Sequence, residues 1–454
     1  MGRMSDCHRA RDWQWVEAEV AETAAIWNDC AAALAPAPQF TPTEQARREA
    51  AYDEGLEAVE QEARRPQRTR VHRLEAQRRV VAVFPRFASI ALGLDDNSVD
   101  LLTGGFLRVG TQFARAARRF DASLGVAEII QACRNAWSAC GMQPMLGEPM
   151  KLTASIMGYS LLYPYSDNYL DDRGVSSSVK REFNARFRDR LEGRPLSPRN
   201  HRETAIWAAI ELIEQQYPRQ RFSDVYDCLL AIHRAQSESL AQLNGLARCG
   251  DADLLRISCA KGGTSVLADA CLAHGWLRPE ESRFAFAWGV LLQLGDDLQD
   301  VREDLKRGSA TLFTRAAAQR QPMDSLAAQL LAFGDRVAAL MDELPDGSPL
   351  LKNLLRMSWR SLALMAIATA HQYFTPAFLA AVEPQSAFRF EFLRARQKRL
   401  MGRKGLYAVL FDAFREAGEA DDCEPPMLQD RPSVSLAGGV NPCLAALPEE
   451  CTVC

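Results

Sequence analysis

One stretch of this chain joins an apolar run to regularly spaced acids. Residues 284–294 are almost entirely apolar, and residues 295–304 read GDDLQDVRED. In an α-helix a four-residue step turns only ~40° beyond a full turn, so Asp296, Asp300 and Asp304 lie on one face. A buried helix that ends in stacked carboxylates is costly unless a cation neutralises them. We therefore predict that these acids, with Asp297 beside them, bind a metal; a solvated acidic helix end is the alternative.

The composition excludes several classes of function. Of the 454 residues, 47% are hydrophobic and 25% are charged, which is enough apolar material for a large core. The net charge is −4, so a nucleic-acid partner is not expected. No apolar run approaches the ~20 residues of a transmembrane helix. The N-terminal residues lack the apolar region of a secretory signal. We therefore expect a cytoplasmic protein whose twelve cysteines are reduced thiols.

Helical periodicity continues from residue 71, and alternating β-branched runs are few, so we predict an all-α fold. The predicted domains are a helical N-terminal extension (1–70), one large helical bundle (71–417) and a flexible, cysteine-containing tail (418–454). Within the extension, Thr43 is the predicted cap of a helix. Within the bundle region, 94–100 is predicted to be a turn that offers N-caps. The predicted helices of the bundle are 101–120, 126–140, 152–172, 177–191, 201–216, 222–247, 251–274, 279–305, 309–319, 323–343, 348–373 and 385–417.

A second acidic cluster lies upstream, in the sequence SLLYPYSDNYLDDRG at 160–174. Asp167 and Asp171 are four residues apart, and Asn168 and Asp172 lie beside them. These residues also end an apolar helix. Two such faces across a cavity would bind hard divalent ions, and Mg²⁺ prefers a few carboxylates together with phosphate oxygens. We therefore expect Mg²⁺, with more than one ion bound.

Several cationic residues are candidates for binding an anion beside these metals. Lys261 precedes Gly262 and Gly263, which we expect to interrupt a helix and to expose backbone N–H groups. Lys306 and Arg307 directly follow the acidic stripe, where compensation of the helix dipole is an equally good interpretation. Arg134 belongs to the helix that precedes the first acidic cluster.

The sequence from Gly289 to Asp300, GVLLQLGDDLQD, resembles the second aspartate-rich motif of trans-isoprenyl diphosphate synthases, including Gln293. The segment from Asp167 to Asp171 resembles their first motif, with Asn168 in place of an aspartate. Lys261 with Thr264 resembles their Lys-Thr motif, and Gln236 lies where their helical glutamine is found. The resemblance covers roughly residues 75–375 and is to the class I isoprenoid synthase superfamily.

This resemblance implies an antiparallel bundle in which two aspartate helices face each other across a central apolar cavity. It implies that Asp167, Asp171, Asp296 and Asp300 are catalytic and bind Mg²⁺. It also implies that a prenyl diphosphate is the substrate and that Lys261 binds the diphosphate, with Thr264 and Gln293 from the matched motifs beside it. The further diphosphate candidates, chosen for their positive charge, are Lys306, Arg307 and Arg134. The residues expected to line the cavity are Tyr159, Tyr163, Gln236 and Trp288.

Departures from the motif set bear on the reaction. Chain-elongating synthases place an arginine pair after the first motif and a Gly-Gly-Lys motif upstream, whereas this chain has Lys180 and Arg181 displaced and reads Gly104-Gly105-Phe106. The 296, 300, 304 spacing also resembles the three-ligand metal motif of terpene cyclases. We therefore predict a terpene synthase acting as a cyclase or lyase. A prenyltransferase using isopentenyl diphosphate, a head-to-head condensing enzyme and a helical scaffold with vestigial acids remain open, as does a homodimer.

Overall fold

The computed structural model describes residues 13–64, 69–171, 174–242 and 249–401. Within these ranges it leaves out the side chains of 59, 62–64, 70, 73, 74, 76, 77, 80, 81, 83, 84, 163, 167, 168, 170, 171, 241 and 397–401. Helices and short connections make up the described ranges, which contain no β-strand, so the all-α prediction is confirmed. None of the described helices combines the length and the apolar character needed to cross a lipid bilayer.

The chain divides into two compact units. The first comprises Met1–Ala35, Gly141–Pro149 and Ala154–Ser348, and the second comprises Pro36–Cys140, Met150–Thr153 and Pro349–Cys454. The helices of the first unit are α1 (Gln14–Asn28), α7 (Ala154–Asp171), α8 (Ser177–Leu191), α9 (His201–Gln216), α10 (Ser223–Ser239), α11 (Asp251–His274), α12 (Pro279–Gln299), α13 (Val301–Arg307), α14 (Leu312–Ala318) and α15 (Asp324–Glu343).

The helices of the second unit are α2 (Pro42–Arg64), α3 (Arg70–Phe87), α4 (Asp96–Leu101), α5 (Leu107–Phe120), α16 (Pro349–Thr369), α17 (Pro376–Val382) and α18 (Phe390–Met401), and most of α6 (Val126–Met142) also lies there. Two π-helical turns, Ala88–Leu92 and Leu102–Phe106, follow α3 and α4. Two ion pairs join distant segments of this unit. The Arg389 guanidinium binds the buried Glu49 carboxylate of α2, and Arg396 of α18 binds Asp53 of α2.

Helix α11 is the centre of the first unit. It packs against α1, α7, α10 and α12, and nearly all its side chains from Leu254 to Ala273 are buried. The sequence explains this position, because α11 is apolar on every side rather than along one stripe. Helix α12 in turn packs on α1 and α15. The unit therefore holds Lys261, Asp296 and Asp297 of the predicted site on two adjacent, buried helices.

Several helix boundaries differ from the prediction. Helix α2 begins at Pro42, and its cap is Thr41 rather than Thr43: the Thr41 Oγ1 accepts from the N–H of Glu44, whose carboxylate accepts the Thr41 N–H at 2.7 Å. The predicted turn at 94–100 contains helix α4, although its acid does act as a cap, since Asp95 accepts the Ser98 N–H. The helix predicted over 222–247 ends at Ser239.

The predicted single bundle over 71–417 is divided between the two units, and the predicted extension over 1–70 contributes α1 to the first unit and α2 to the second. The reason is that contacts between segments far apart in the chain define these units, and periodicity carries no signal of such contacts. The boundaries at residues 70 and 417 remain predictions. The tail, 418–454, lies outside the described residues.

Candidate functional site

The site is built on a close crossing of α11 and α12, at which glycines face each other. A Cβ placed on Gly289 would lie 2.1 Å from the carbonyl oxygen of Gly262, and one on Gly262 would lie 2.4 Å from the carbonyl oxygen of Gly289. The two backbones therefore touch. The prediction that Gly262 and Gly263 interrupt the helix is wrong, since α11 runs without a break from Asp251 to His274. Their function is to admit α12, and Phe286 packs directly on Gly263.

Asp297 is buried at this crossing and bound on both of its carboxylate oxygens. Ser258 of α11 donates its hydroxyl to Oδ2 at 2.7 Å, and Gln293 of α12 donates its amide to Oδ1 at 2.8 Å. Burial raises the pKa of Asp297, and these two hydrogen bonds together with the nearby Lys261 ammonium act against that rise. Asp297 is thus held at the crossing by one side chain of each helix.

The three acids of the stripe differ in exposure. Asp296 is exposed, and Asp300 and Asp304 are half-buried. The predicted helix 279–305 is not continuous, because α12 ends at Gln299 and α13 begins at Val301, with Asp300 between them at φ −92° and ψ 7°. The one-turn spacing of the acids is kept nevertheless, because the helical backbone hydrogen bonds continue. The N–H of Asp300 donates to the backbone carbonyl of Asp296 at 2.8 Å, and the N–H of Asp304 donates to the backbone carbonyl of Asp300 at 2.9 Å.

Asp304 shows how strongly these acids interact. Burial, together with the negative charges of Asp297 and Asp300, raises the pKa of Asp304 to about 7, and the positive charges of Lys261 and Arg307 act in the opposite direction. Lys261 is half-buried on α11. The structure therefore brings Lys261 and Arg307 into one electrostatic cluster with Asp297, Asp300 and Asp304.

The donor chemistry of this cluster fits a hard divalent cation, because a carboxyl group whose pKa rises to about 7 is stabilised in its charged form by an added positive charge. Asp296, Asp300 and Asp304 carry carboxylate oxygens at one-turn spacing. Among the described side chains, no three histidine, cysteine, aspartate or glutamate groups lie close enough together to hold a metal ion by themselves.

The predicted partners in the first acidic cluster lie at the end of α7. The helix is described from Ala154 to Asp171, against a prediction of 152–172. The side chains of Asp167, Asn168, Asp171 and Tyr163, and the whole of Asp172, lie outside the described residues. Tyr169 in the same segment packs edge-on to Phe183 of α8 at 5.0 Å, and the Arg202 guanidinium of α9 covers its ring at 3.9 Å. These contacts fix the end of α7 against two neighbouring helices.

Other predicted ligands of the diphosphate are bound to protein groups or lie away from the cluster. Thr264 is completely buried, and its hydroxyl donates to the Ala260 carbonyl of its own helix at 2.6 Å. Lys306 is exposed and lies 3.5 Å from Glu303, an arrangement typical of a cation at a helix C-terminus. Arg134 belongs to the second unit, where its side chain is exposed on α6. Gln293 donates to Asp297 rather than pointing away from it.

The residues expected to line a cavity are spread over three helices. Trp288 is buried on α12, with its ring 5.9 Å from that of Phe284. Tyr159 is half-buried on α7, and Gln236 is half-buried on α10. A cavity shared by these side chains remains a prediction.

Ser258 is the residue of the site that the sequence analysis missed. It lies one helical turn before Lys261 on α11, so the two side chains share a face. That spacing was the available signal, because a small hydroxyl residue at this position can bond an acid on the facing helix. Comparison of the chain with protein-family models, with curated proteins and with solved structures gives no match.

Proposed function

We propose that this protein is a Mg²⁺-dependent class I terpene synthase that ionises an allylic prenyl diphosphate between its two aspartate-rich helices. The observation that carries the proposal is the electrostatic cluster in which Lys261 of α11 lies near Asp297, Asp300 and Asp304. Cations and carboxylates that converge at the end of a buried helix are suited to a ligand that combines metal ions with an anion. The resemblance to isoprenoid synthases selects a diphosphate among such ligands.

In this proposal the metal ligands are Asp296, Asp300 and Asp304 from one helix end and Asp167 and Asp171 from the other. The chemistry that bound Mg²⁺ supplies is neutralisation of the charge on the departing diphosphate. The chain's own contribution begins with Lys261, which donates hydrogen bonds to diphosphate oxygens. Asp297 contributes indirectly: because Ser258 and Gln293 fix its carboxylate, the neighbouring Asp296 is held facing away from α11.

The ionised substrate needs an environment without water, since water would capture the carbocation. The segment of α12 before the acids meets this need, because Phe284, Phe286 and Trp288 are buried there. Aromatic faces also stabilise cationic intermediates. The distribution of residues along α12 thus matches the two requirements of the reaction, with apolar side chains first and acids at the C-terminal end.

The test is incubation of the purified protein and Mg²⁺ with prenyl diphosphates of increasing length, each with and without isopentenyl diphosphate, with products read by mass spectrometry. A cyclic hydrocarbon or alcohol from a single substrate supports the proposal. Longer diphosphates that appear only with isopentenyl diphosphate would replace it by a prenyltransferase, and a product of two joined allylic chains would replace it by head-to-head condensation.

Variants locate the activity on the chain. Asp296→Asn and Lys261→Met should each abolish turnover, whereas Glu280→Gln should leave it unchanged, because Glu280 is an exposed acid in the first turn of the same helix. A thermal-shift assay distinguishes the enzyme from a helical scaffold. If Mg²⁺ with pyrophosphate does not stabilise the protein, the metal and diphosphate site is refuted.

A further inference from the structure

Two cysteine thiols from different helices lie in direct contact inside the first unit. The Sγ atom of Cys228, on α10, lies 3.0 Å from the Sγ atom of Cys271, on α11. Both side chains are buried, with 5% and 2% of their surface exposed, and both are free thiols. They are 43 positions apart in the sequence, so helix packing rather than chain proximity brings them together.

The position of the pair is constrained from several sides. Helices α10 and α11 pack directly on each other. The last turns of α11 are also tied to other segments, because the hydroxyls of Tyr217 and Ser155 both donate to the carbonyl of Leu272, at 3.2 and 2.9 Å. A disulfide requires a bond of ~2.05 Å, so small torsional changes of the two side chains, moving the sulfurs by about 1 Å in total, would be sufficient.

We propose that Cys228 and Cys271 are an oxidisable pair that forms an intrachain disulfide linking α10 to α11. With a peroxide as oxidant, one thiolate attacks a peroxide oxygen, and the O–O bond breaks to give a sulfenic acid and, from hydrogen peroxide, one molecule of water. The second thiolate then attacks the sulfenic sulfur, the S–O bond breaks, and a second water leaves. Two thiols lose two electrons and two protons, and the peroxide is reduced to two waters.

Burial decides the rate of this reaction. The thiolate is the reactive form, and the hydrogen bond to Cys271 together with burial raises the pKa of the Cys228 thiol. The oxidant also has to reach the sulfurs through transient local opening of the helix pair. We therefore expect slow oxidation by a small peroxide and equally slow reduction once the link has formed.

The consequence is a gain in stability that depends on oxidation. The disulfide would close a loop of 43 residues, and such a loop restricts the unfolded chain enough to raise the Tm of a domain of this size by roughly 10 °C. Lys261 lies almost three turns before Cys271 on α11, so the link does not involve the acidic cluster. The inference is therefore independent of the proposed terpene synthase activity.

The test uses the full-length protein, fully reduced and then incubated with hydrogen peroxide for increasing times. Samples are denatured, alkylated, digested without reductant and analysed by mass spectrometry. We expect a growing population in which the peptides containing Cys228 and Cys271 are joined and lack two hydrogens, together with a Tm increase of roughly 10 °C that dithiothreitol reverses. Recovery of both cysteines in alkylated form after the full incubation would overturn the inference.

Variants assign the Tm increase to this pair. Cys228→Ser and Cys271→Ser should each remove the increase. Cys133→Ser should retain it, because Cys133 is an equally buried thiol located on α6. An increase that persists in Cys228→Ser would refute the assignment, and a linked peptide formed without any Tm increase would refute the stabilising role. If a serine variant fails to fold, the linked peptide in the wild-type protein decides the question.

Discussion

The glycine contact between α11 and α12 makes the strongest prediction about this fold. In Gly289→Ala the new Cβ would lie 2.1 Å from the Gly262 oxygen, 2.8 Å from the Gly262 carbonyl carbon and 3.1 Å from the Gly263 Cα. All three atoms belong to the backbone of α11, so no flexible side chain can move aside. Because α11 is enclosed by four other helices, the clash is relieved only if the two helices separate by about 1 Å, which is the shortfall from van der Waals contact.

The magnitude follows from two opposing effects. Overpacking a rigid core costs ~1–3 kcal/mol. This variant lies at the upper end of that range, because the added Cβ contacts only backbone atoms of α11. Alanine also favours a helix over glycine by ~1 kcal/mol. We therefore expect Gly289→Ala to lower the free energy of unfolding by ~2 kcal/mol. Gly295→Ala is the matched control, because it lies on the same helix with nothing within 4 Å of the added Cβ; it should gain ~0.5–1 kcal/mol.

The assay is urea unfolding followed by circular dichroism, with the midpoints of the two variants compared at equal slopes. The free energies of unfolding of the two variants should differ by ~3 kcal/mol, with Gly289→Ala less stable and Gly295→Ala more stable than the wild-type protein. If Gly289→Ala were as stable as Gly295→Ala, the backbone contact would not exist in solution, and the position assigned to Asp297 between the helices would lose its basis.

Three further predictions test individual contacts. Ser258→Ala should cost ~1.5–3 kcal/mol, because it removes a hydrogen bond to a buried carboxylate; a double-mutant cycle with Asp297→Asn should return a coupling of this size, and a coupling near zero would contradict the contact. Arg186→Met should cost ~2–3 kcal/mol, since it removes both guanidinium hydrogen bonds from the buried Glu203 carboxylate and leaves it the backbone N–H of Arg199. Adding Glu203→Leu should recover most of this loss in thermal unfolding. Burial lowers the pKa of His233 to about 4, below its value in the unfolded chain, so the folded state binds fewer protons. The free energy of unfolding is therefore highest above pH ~6.5 and falls by ~3 kcal/mol in total as the pH drops towards 4. His233→Asn should flatten this part of the pH profile, and an unchanged profile would show that another group is responsible.

Local signals predicted most helices but not the way in which two of them meet. The ranges 177–191, 201–216 and 251–274 match the structure from end to end, because apolar periodicity and capping residues are properties of the segment itself. Gly262 and Gly263 were misinterpreted for a physical reason. A glycine pair has the same local signature whether it breaks a helix or admits a close neighbour, and only the helix opposite decides between the two.

The metal and diphosphate site remains a prediction, and the structure shows only how some of its residues are arranged. Asp300 and Asp304 lie near Lys261, and their one-turn spacing is a local property that the sequence shows directly. The role of Asp297 was not foreseen, since its bond to Ser258 joins residues 39 positions apart. Thr264 was assigned to the diphosphate by resemblance, and the structure instead turns its hydroxyl onto its own backbone. A residue type in the expected place does not determine which way the side chain points.

The two adjacent aspartates of α12 have different roles because neighbouring positions on a helix point ~100° apart. Asp297 faces α11 and is bound there, whereas Asp296 is exposed. Burial and the negative charges of Asp297 and Asp300 raise the pKa of Asp304 despite the opposing charges of Lys261 and Arg307, so the acids dominate the charge around this carboxyl group. A diphosphate alone would therefore be repelled, and it should stabilise the protein only when Mg²⁺ is bound with it or before it. Stabilisation by pyrophosphate in the presence of a chelator would contradict this charge balance and with it the assignment of the acids as metal ligands.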